Sequence, residues 1–307
     1  MTPPRLAASR IAGPGTSHYQ GCMRLVLLTA LTMTAFAANS VLNRAGVGAG
    51  RIGAVDFAVV RLLAGALMLA ALVLLRRARS GSALWPGGKG RAVGAAALLL
   101  YLFGFSLAYG ALDAGMGALI LFGMVQITMF AGALVGGEAV PARRWIGAGA
   151  AFLGLVYLLA PGSSSAPSTL HAGLMAAAGV GWGIYSLSAR GTRDALGATA
   201  WNFILAVPAA LLLWAMLPGA ALPASAAGLA LALVSGGITS GLGYALWYSV
   251  LPELGSARGG VAQLTVPLIA LAGGIVFLGE PVTLRFLVAS LLVLGGVGFA
   301  LRPARQP

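Results

Sequence analysis

Two stretches of this chain repeat one another at a constant offset of 142 residues, and few folds are compatible with that duplication. Gly137-Glu138-Ala139-Val140-Pro141-Ala142-Arg143 returns as Gly279-Glu280-Pro281-Val282-Thr283-Leu284-Arg285, each followed by an apolar run. Between residues 137–161 and 279–303 the Gly, Glu, Val and Arg positions stay in register. Gly154 also matches Gly296, Leu159 matches Leu301 and Pro161 matches Pro303. The chain therefore reads as two related halves rather than one irregular body.

The solvent those halves face follows from composition. Mean hydropathy is +0.95 and only 8% of residues are charged, against about 25% in a soluble domain. So little polar surface cannot cover a water-facing exterior, and the chain reads as an all-α integral membrane protein. The net charge of +13 does not imply nucleic acid. The basic residues sit at the ends of apolar segments and form no basic face with interleaved aromatics. Cys22 is the sole cysteine, which rules out an intrachain disulfide and a cysteine-based metal cluster.

About 20 apolar residues are needed to cross the hydrocarbon core. Ten such windows are expected, at 25–45, 56–75, 92–111, 115–136, 144–160, 172–190, 198–217, 226–250, 256–279 and 284–301. The linker Pro161-Gly162-Ser163-Ser164-Ser165-Ala166-Pro167-Ser168 divides them five and five. The expected organisation is a disordered tail (1–23), a first repeat with helices 1–5 (24–161), a linker (162–170), a second repeat with helices 6–10 (171–302) and a short tail (303–307). Arg24, the apolar run and Ala35-Phe36-Ala37 have the outline of a signal peptide. Phe36 through Arg44 nevertheless aligns with Trp182 through Arg190, so the segment reads as span one.

With the N-terminus in the cytoplasm, fifteen Lys and Arg residues fall in inside loops and tails, and Arg44, Arg51 and Arg285 fall outside. That asymmetry fixes the orientation. Both termini are expected in the cytoplasm, with the protein in the plasma (inner) membrane. Five spans per half is an odd number, so the halves form two inverted five-helix repeats. Glu138 then lies near the cytoplasmic face and Glu280 near the outer one.

Polar groups in hydrocarbon need partners, so the polar and aromatic residues inside spans are the candidate binding residues. These are Asn39 and Asn43 on span one, Tyr101 on span three, Gln126 on span four, Trp182 and Tyr185 on span six, Tyr244 and Trp247 on span eight, and Gln263 on span nine. Arg61 on span two is the deep basic residue, and an intramembrane Arg is a functional candidate by default. Asp56 lies about 140° around the helix from it and is poorly placed to pair. Tyr109 and Tyr248, near span ends, read as members of an interfacial aromatic belt. Pro208 and Pro267 stand mid-span, where each removes a backbone hydrogen bond. Glu138 and Glu280 sit at helix ends near Arg143 and Arg285, where they are expected to hold a turn and favour the positive end of the following helix. No carboxylate lies at the middle of a span, which argues against a proton relay there.

Internal duplication in an apolar chain with polar groups near the midplane is the pattern of a secondary transporter. An intramembrane enzyme would need a reactive constellation. His18 and His171 are far apart in sequence, there is no Gly-x-Ser-x-Gly elbow, and Gly87-Gly88-Lys89-Gly90 lacks the rest of a phosphate loop.

The repeated Gly-Glu turn, the run Pro267-Leu268-Ile269-Ala270-Leu271-Ala272-Gly273-Gly274 before it, the five-plus-five arrangement and Trp182-Gly183 in span six resemble the EamA domain of the drug/metabolite transporter superfamily. The resemblance covers residues 24 to 302. It implies ten helices, inverted repeats and a central cavity lined mainly by spans one, three, four, six, eight and nine. It also implies a small-molecule solute, since relatives export amino acids, aromatic ones included, or move other metabolites. The first half departs from the pattern: Val125 stands where the second half has Pro267, and Phe36 where it has Trp182. The helix break is therefore expected in the second half alone.

The reading is an exporter of amino-acid-like solutes. A zwitterion would set its carboxylate against amide donors or Arg61 and its side chain against the aromatics. Organic-cation efflux is the alternative, weakened by the lack of an acidic residue in span one and favoured only by cation–π contact with Trp182 or Trp247. The expected partners are the solute and the lipid bilayer, as monomer or homodimer, with no cofactor, metal or nucleic acid.

Overall fold

The computed structural model describes residues 14–81, 90–138, 140–160, 167–189, 192–217 and 224–301, and among them every regular element is a helix. The tail 1–13, most of the linker and residues 302–307 lie outside the described residues. Helix α1 is Pro14–Asn43 and runs into a π-helical segment, Arg44–Gly48; α2 is Ala54–Ser80, α3 Arg91–Ala108, α4 Ala114–Val135 and α5 Ala142–Leu159. In the second half α6 is Thr169–Ser188, α7 Ala195–Met216 and α8 Ala226–Leu233. A second π-helical segment, Val234–Leu242, leads into α9 (Gly243–Gln263), followed by α10 (Thr265–Leu278) and α11 (Leu284–Ala300). Helix α1 begins at Pro14, inside the stretch the sequence reads as a disordered tail.

Among the described residues, seven helical bodies are long and apolar enough to cross a bilayer: Gly21–Gly48, Ala54–Ser80, Arg91–Ala108, Ala114–Val135, Ala195–Met216, Ala226–Gly255 and Arg258–Leu278. Leu284–Ala300 is a shorter apolar helix. Helices α5 and α6 occupy the expected windows, but arginines at the start of α5 and a Gly-rich, aromatic α6 lower their apolarity. Large apolar side chains such as Leu67, Phe277 and Leu291 point outward, a surface that lipid covers without cost and water does not. The molecule is a multi-span membrane protein.

Helices in lipid have no hydrophobic drive to associate, so close backbone approach at small residues carries the packing. Helix α5 lies along α11 with Gly147 and Gly296 backbone to backbone, and α6 meets α4 through Gly179 and Gly183, against Leu121 and Thr128. Gly236 of the second π segment sits against the Arg61 main chain on α2, where a Cβ would strike the carbonyl oxygen.

The repeated turn has a local cause. Gly137 and Gly279 both take a left-handed φ, 70° and 67°, a region glycine enters without a Cβ penalty. The following Glu138 and Glu280 N–H groups bond back to Ala133 and Gly274. In the second half the helical backbone is interrupted at Gly255 (φ 71°), between spans eight and nine. Nearer Pro267 the backbone stays helical: Leu264 separates α9 from α10 with φ −66° and ψ −17°, Arg258–Leu278 remains one helical body, and Pro267 falls in the first turn of α10. A proline costs no hydrogen bond in a first turn. The matching helix α4, with Val125, runs unbroken. Pro208 stays inside α7.

Candidate functional site

Arg61 on α2 is fully buried. Its Nε donates to Ser240 Oγ at 3.2 Å, and Nη2 donates to the Tyr101 hydroxyl at 2.8 Å. Nη1 is buried and has no hydrogen-bond partner in the structure. The guanidinium lies 5.2 Å from the Tyr101 ring centre and 4.9 Å from that of Phe105. It does not reach for the surface as a snorkelling Arg would. Asp56 turns elsewhere and accepts from the Trp214 indole at 2.7 Å.

Arg61 is joined to α1 through hydroxyls. Asn39 Oδ1 accepts from Ser235 at 2.8 Å, Thr239 at 2.7 Å and Ser240 at 3.3 Å. One turn on, Asn43 donates to the Asn39 carbonyl at 3.1 Å and accepts from Ser106 at 2.8 Å. The three hydroxyls on the π segment are thus drawn onto one amide oxygen. π-helical turns often mark functional sites, because they turn side chains that an α-helix would aim elsewhere.

A wall of rings adjoins the cation. Tyr101 meets Trp182 at 5.0 Å between centres, and Trp182 stacks on both Tyr185 and Tyr244 at 5.2 Å. Phe36, at the position that Trp182 occupies in the other half, closes on Tyr244 and Trp247. All these rings are buried, so the site is held shut. Gln126 on α4 and Gln263 at the end of α9 are half-buried, and neither joins the hydrogen bonds of the Arg61 cluster. An apolar groove of about 350 Å³ lies apart from the cluster, among Ile120, Met124, Phe152, Leu155, Leu159 and Ala176.

One end of the molecule is tied by Glu280. Its carboxylate accepts from the Ala114 N–H at 2.9 and 3.1 Å, and Arg44 donates to it at 3.3 Å. Arg44 also reaches Asp113 at 3.5 Å and the Tyr109 carbonyl at 3.4 Å. Burial pushes the Glu280 carboxyl above the usual glutamate value and Asp113 adds to this, against the pull of the Ala114 N–H and Arg44. The expectation that Glu280 serves the following helix is therefore corrected. It caps α4, while Thr283 caps α11 and Arg285 binds the Tyr157 and Ala160 carbonyls ending α5. The counterpart Glu138 faces Arg144 at 4.0 Å, with its side chain 47% exposed. Tyr109 is also corrected. It is fully buried with its hydroxyl donating to the Ala114 carbonyl, and is no interfacial residue.

Residues 170–302 match the family model of the EamA-like transporter family. An uncharacterised protein of Pseudomonas aeruginosa, PA1977, is 46% identical over 280 residues, 91% of this chain and 95% of its own length. The chain belongs to the EamA-like transporter family. A crystal structure sharing 17% identity superposes with a TM-score of 0.63 over 91% of this chain and 97% of its own, which shows a common fold. This EamA-like protein is a membrane transporter of the drug/metabolite transporter superfamily.

Sequence reasoning missed the hydroxyls of this EamA-like transporter's cluster. Ser235, Thr239 and Ser240 stand in one polar run, Ser235-Gly236-Gly237-Ile238-Thr239-Ser240, inside an apolar span, and that run was the available signal. Thr199, which accepts from the Tyr185 hydroxyl at 3.1 Å, was missed as well.

Proposed function

We propose that this EamA-like transporter is an exporter of small, amino-acid-like solutes, working by alternating access about the Arg61 cluster. Asn39, Asn43, Arg61, Tyr101, Trp182, Tyr185, Tyr244 and Trp247 form the binding region, with Gln126 and Gln263 reached in other conformations. The observation that carries this reading is a fully buried guanidinium with an unused donor beside a wall of aromatic rings. Buried polar groups of that kind in a membrane body mark solute pathways.

Ten spans form two inverted repeats, with both termini in the cytoplasm of a plasma (inner) membrane. In support, the end of α3 and the start of α6 lie at the same end, where His171 adjoins Gly110. The N-cap of α8 joins that end too, as Ser225 donates to the Arg51 carbonyl. Glu280, Arg44 and Asp113 form the outer gate, Glu138 belongs to the inner one, and the turn at Leu264 before Pro267 is the hinge.

The test is counterflow in liposomes of purified protein preloaded with single amino acids. Accelerated uptake of label is expected for at least one, and is expected to be lost in Trp182→Ala at unchanged expression. Failure to move any small solute from a broad panel sinks the reading.

A further inference from the structure

We propose that the Arg61 cluster is a carboxylate subsite for aromatic monocarboxylates, in which the solute supplies the missing counter-ion and its amino group is not read. The inference rests on the transporter reading above and deepens it, by stating which part of the solute is recognised.

An amino-acid-like solute offers a carboxylate, an ammonium and a side chain. A guanidinium stays charged at any pH a protein meets. Yet both of the bonded Arg61 nitrogens meet neutral hydroxyls, and Nη1 meets nothing. The chain has six acidic residues, and all are committed elsewhere or exposed. Asp56 holds Trp214, Asp194 holds Arg76, Asp113 and Glu280 hold Arg44, Glu138 faces Arg144, and Glu253 is exposed. A buried charge without a partner is costly, so the counter-ion comes from outside the chain. The planar fork suits a carboxylate.

The same census leaves no carboxylate to pair with an ammonium. The oxygens near Arg61, on Asn39, Ser240 and Tyr101, are neutral, and the Arg61 charge repels a cation. The rings then fix the rest of the solute. Tyr101 touches both the guanidinium and Trp182, so an anion at Nη1 places its adjoining group at the Trp182, Tyr185 and Tyr244 rings. Flat apolar groups pair best with such a wall.

The experiment follows the melting midpoint of the full-length purified protein with four probes sharing one ring: indole-3-acetate, its methyl ester, tryptophan and tryptamine. Indole-3-acetate is expected to stabilise at least as well as tryptophan, and the ester and tryptamine not at all. Arg61→Gln is expected to weaken indole-3-acetate by roughly thirtyfold or more. The ester comparison needs no variant, so it decides the matter even where Arg61→Gln does not fold. Equal stabilisation by tryptamine or the ester, undiminished binding to Arg61→Gln, or no stabilisation by any probe overturns the subsite. Flux of tryptamine with no preference for carboxylates overturns the subsite while keeping the transporter. Carboxylate binding without flux of any solute sustains the subsite and overturns the transporter.

Discussion

At the scale of single residues, Asn39 organises the site as much as Arg61 does. Its Oδ1 gathers three hydroxyls from the second π segment, and one of those hydroxyls also receives the Arg61 Nε. Asn39→Ala takes this acceptor from Ser235 and Ser240 in a dry interior, while Thr239 keeps its bond to the Ser235 carbonyl, and each unmade hydrogen bond costs about 1–3 kcal/mol. The expected outcome is a loss of that order in unfolding free energy, together with weakened solute binding. Asn39→Ser, which restores one acceptor, should recover part of the stability; identical stabilities for the two variants would refute the account. Asn39, Arg61, Tyr101 and Trp182 were legible in the sequence because amides, cations and large rings stand out in apolar spans. The hydroxyls were not, since a Ser or Thr in a helix ordinarily bonds its own chain. Thr29, Thr32 and Thr128 each do so, donating to the carbonyl four residues back. Only the π turn brings Ser240 round to Asn39, and no single-residue pattern announces that turn.

Between elements, the ties are unequal. Glu280 is buried and caps α4 while holding Arg44, whereas Glu138 is half exposed. Glu280→Ala is expected to cost about 1 kcal/mol from the lost cap alone. Glu138→Ala should stay within about 0.5 kcal/mol, the usual range for exposed positions. Equal losses by chemical denaturation would remove the asymmetry. The start of α7 gives a pH signature. Asp194 receives Arg76 on both oxygens, at 2.8 and 2.6 Å, and also accepts from the Gly197 N–H at 3.0 Å. The Arg76 hydrogen bonds chiefly hold its carboxyl below the usual aspartate value. A lowered folded-state pKa means stability that is present above the ordinary aspartate range and lost as pH falls through the lowered value. The melting midpoint of Asp194→Asn should therefore lie below that of the parent at neutral pH, with the gap closing in acid. A gap that is constant with pH contradicts this. Both side chains are about a third exposed, which keeps the effect modest.

At the scale of the whole molecule, the duplication was the legible part. Matching Gly-Glu turns in the sequence became matching left-handed glycines at 137 and 279, whereas the Pro267/Val125 difference left only a one-residue interruption at Leu264, with helical backbone angles, opposite the uninterrupted α4. What each turn does was not legible, because the cap that Glu280 gives α4 spans 166 positions. Orientation is the remaining consequence of the proposed five-plus-five topology. Residues 22 and 168 stand at matching points of the two halves, so an odd number of spans per half would put them on opposite faces of the membrane. The sole cysteine makes this measurable without background. Cys22, exposed at the start of the first apolar body, should react with a membrane-impermeant maleimide in everted vesicles but not in intact cells. Ser168, exposed at the N-cap of α6, should give the opposite result as Ser168→Cys in a Cys22→Ser background. Labelling of both from one face would mean that the halves run parallel. Glu280 and Glu138 would then gate the same side, and alternating access by exchange of the two turns would lose its basis.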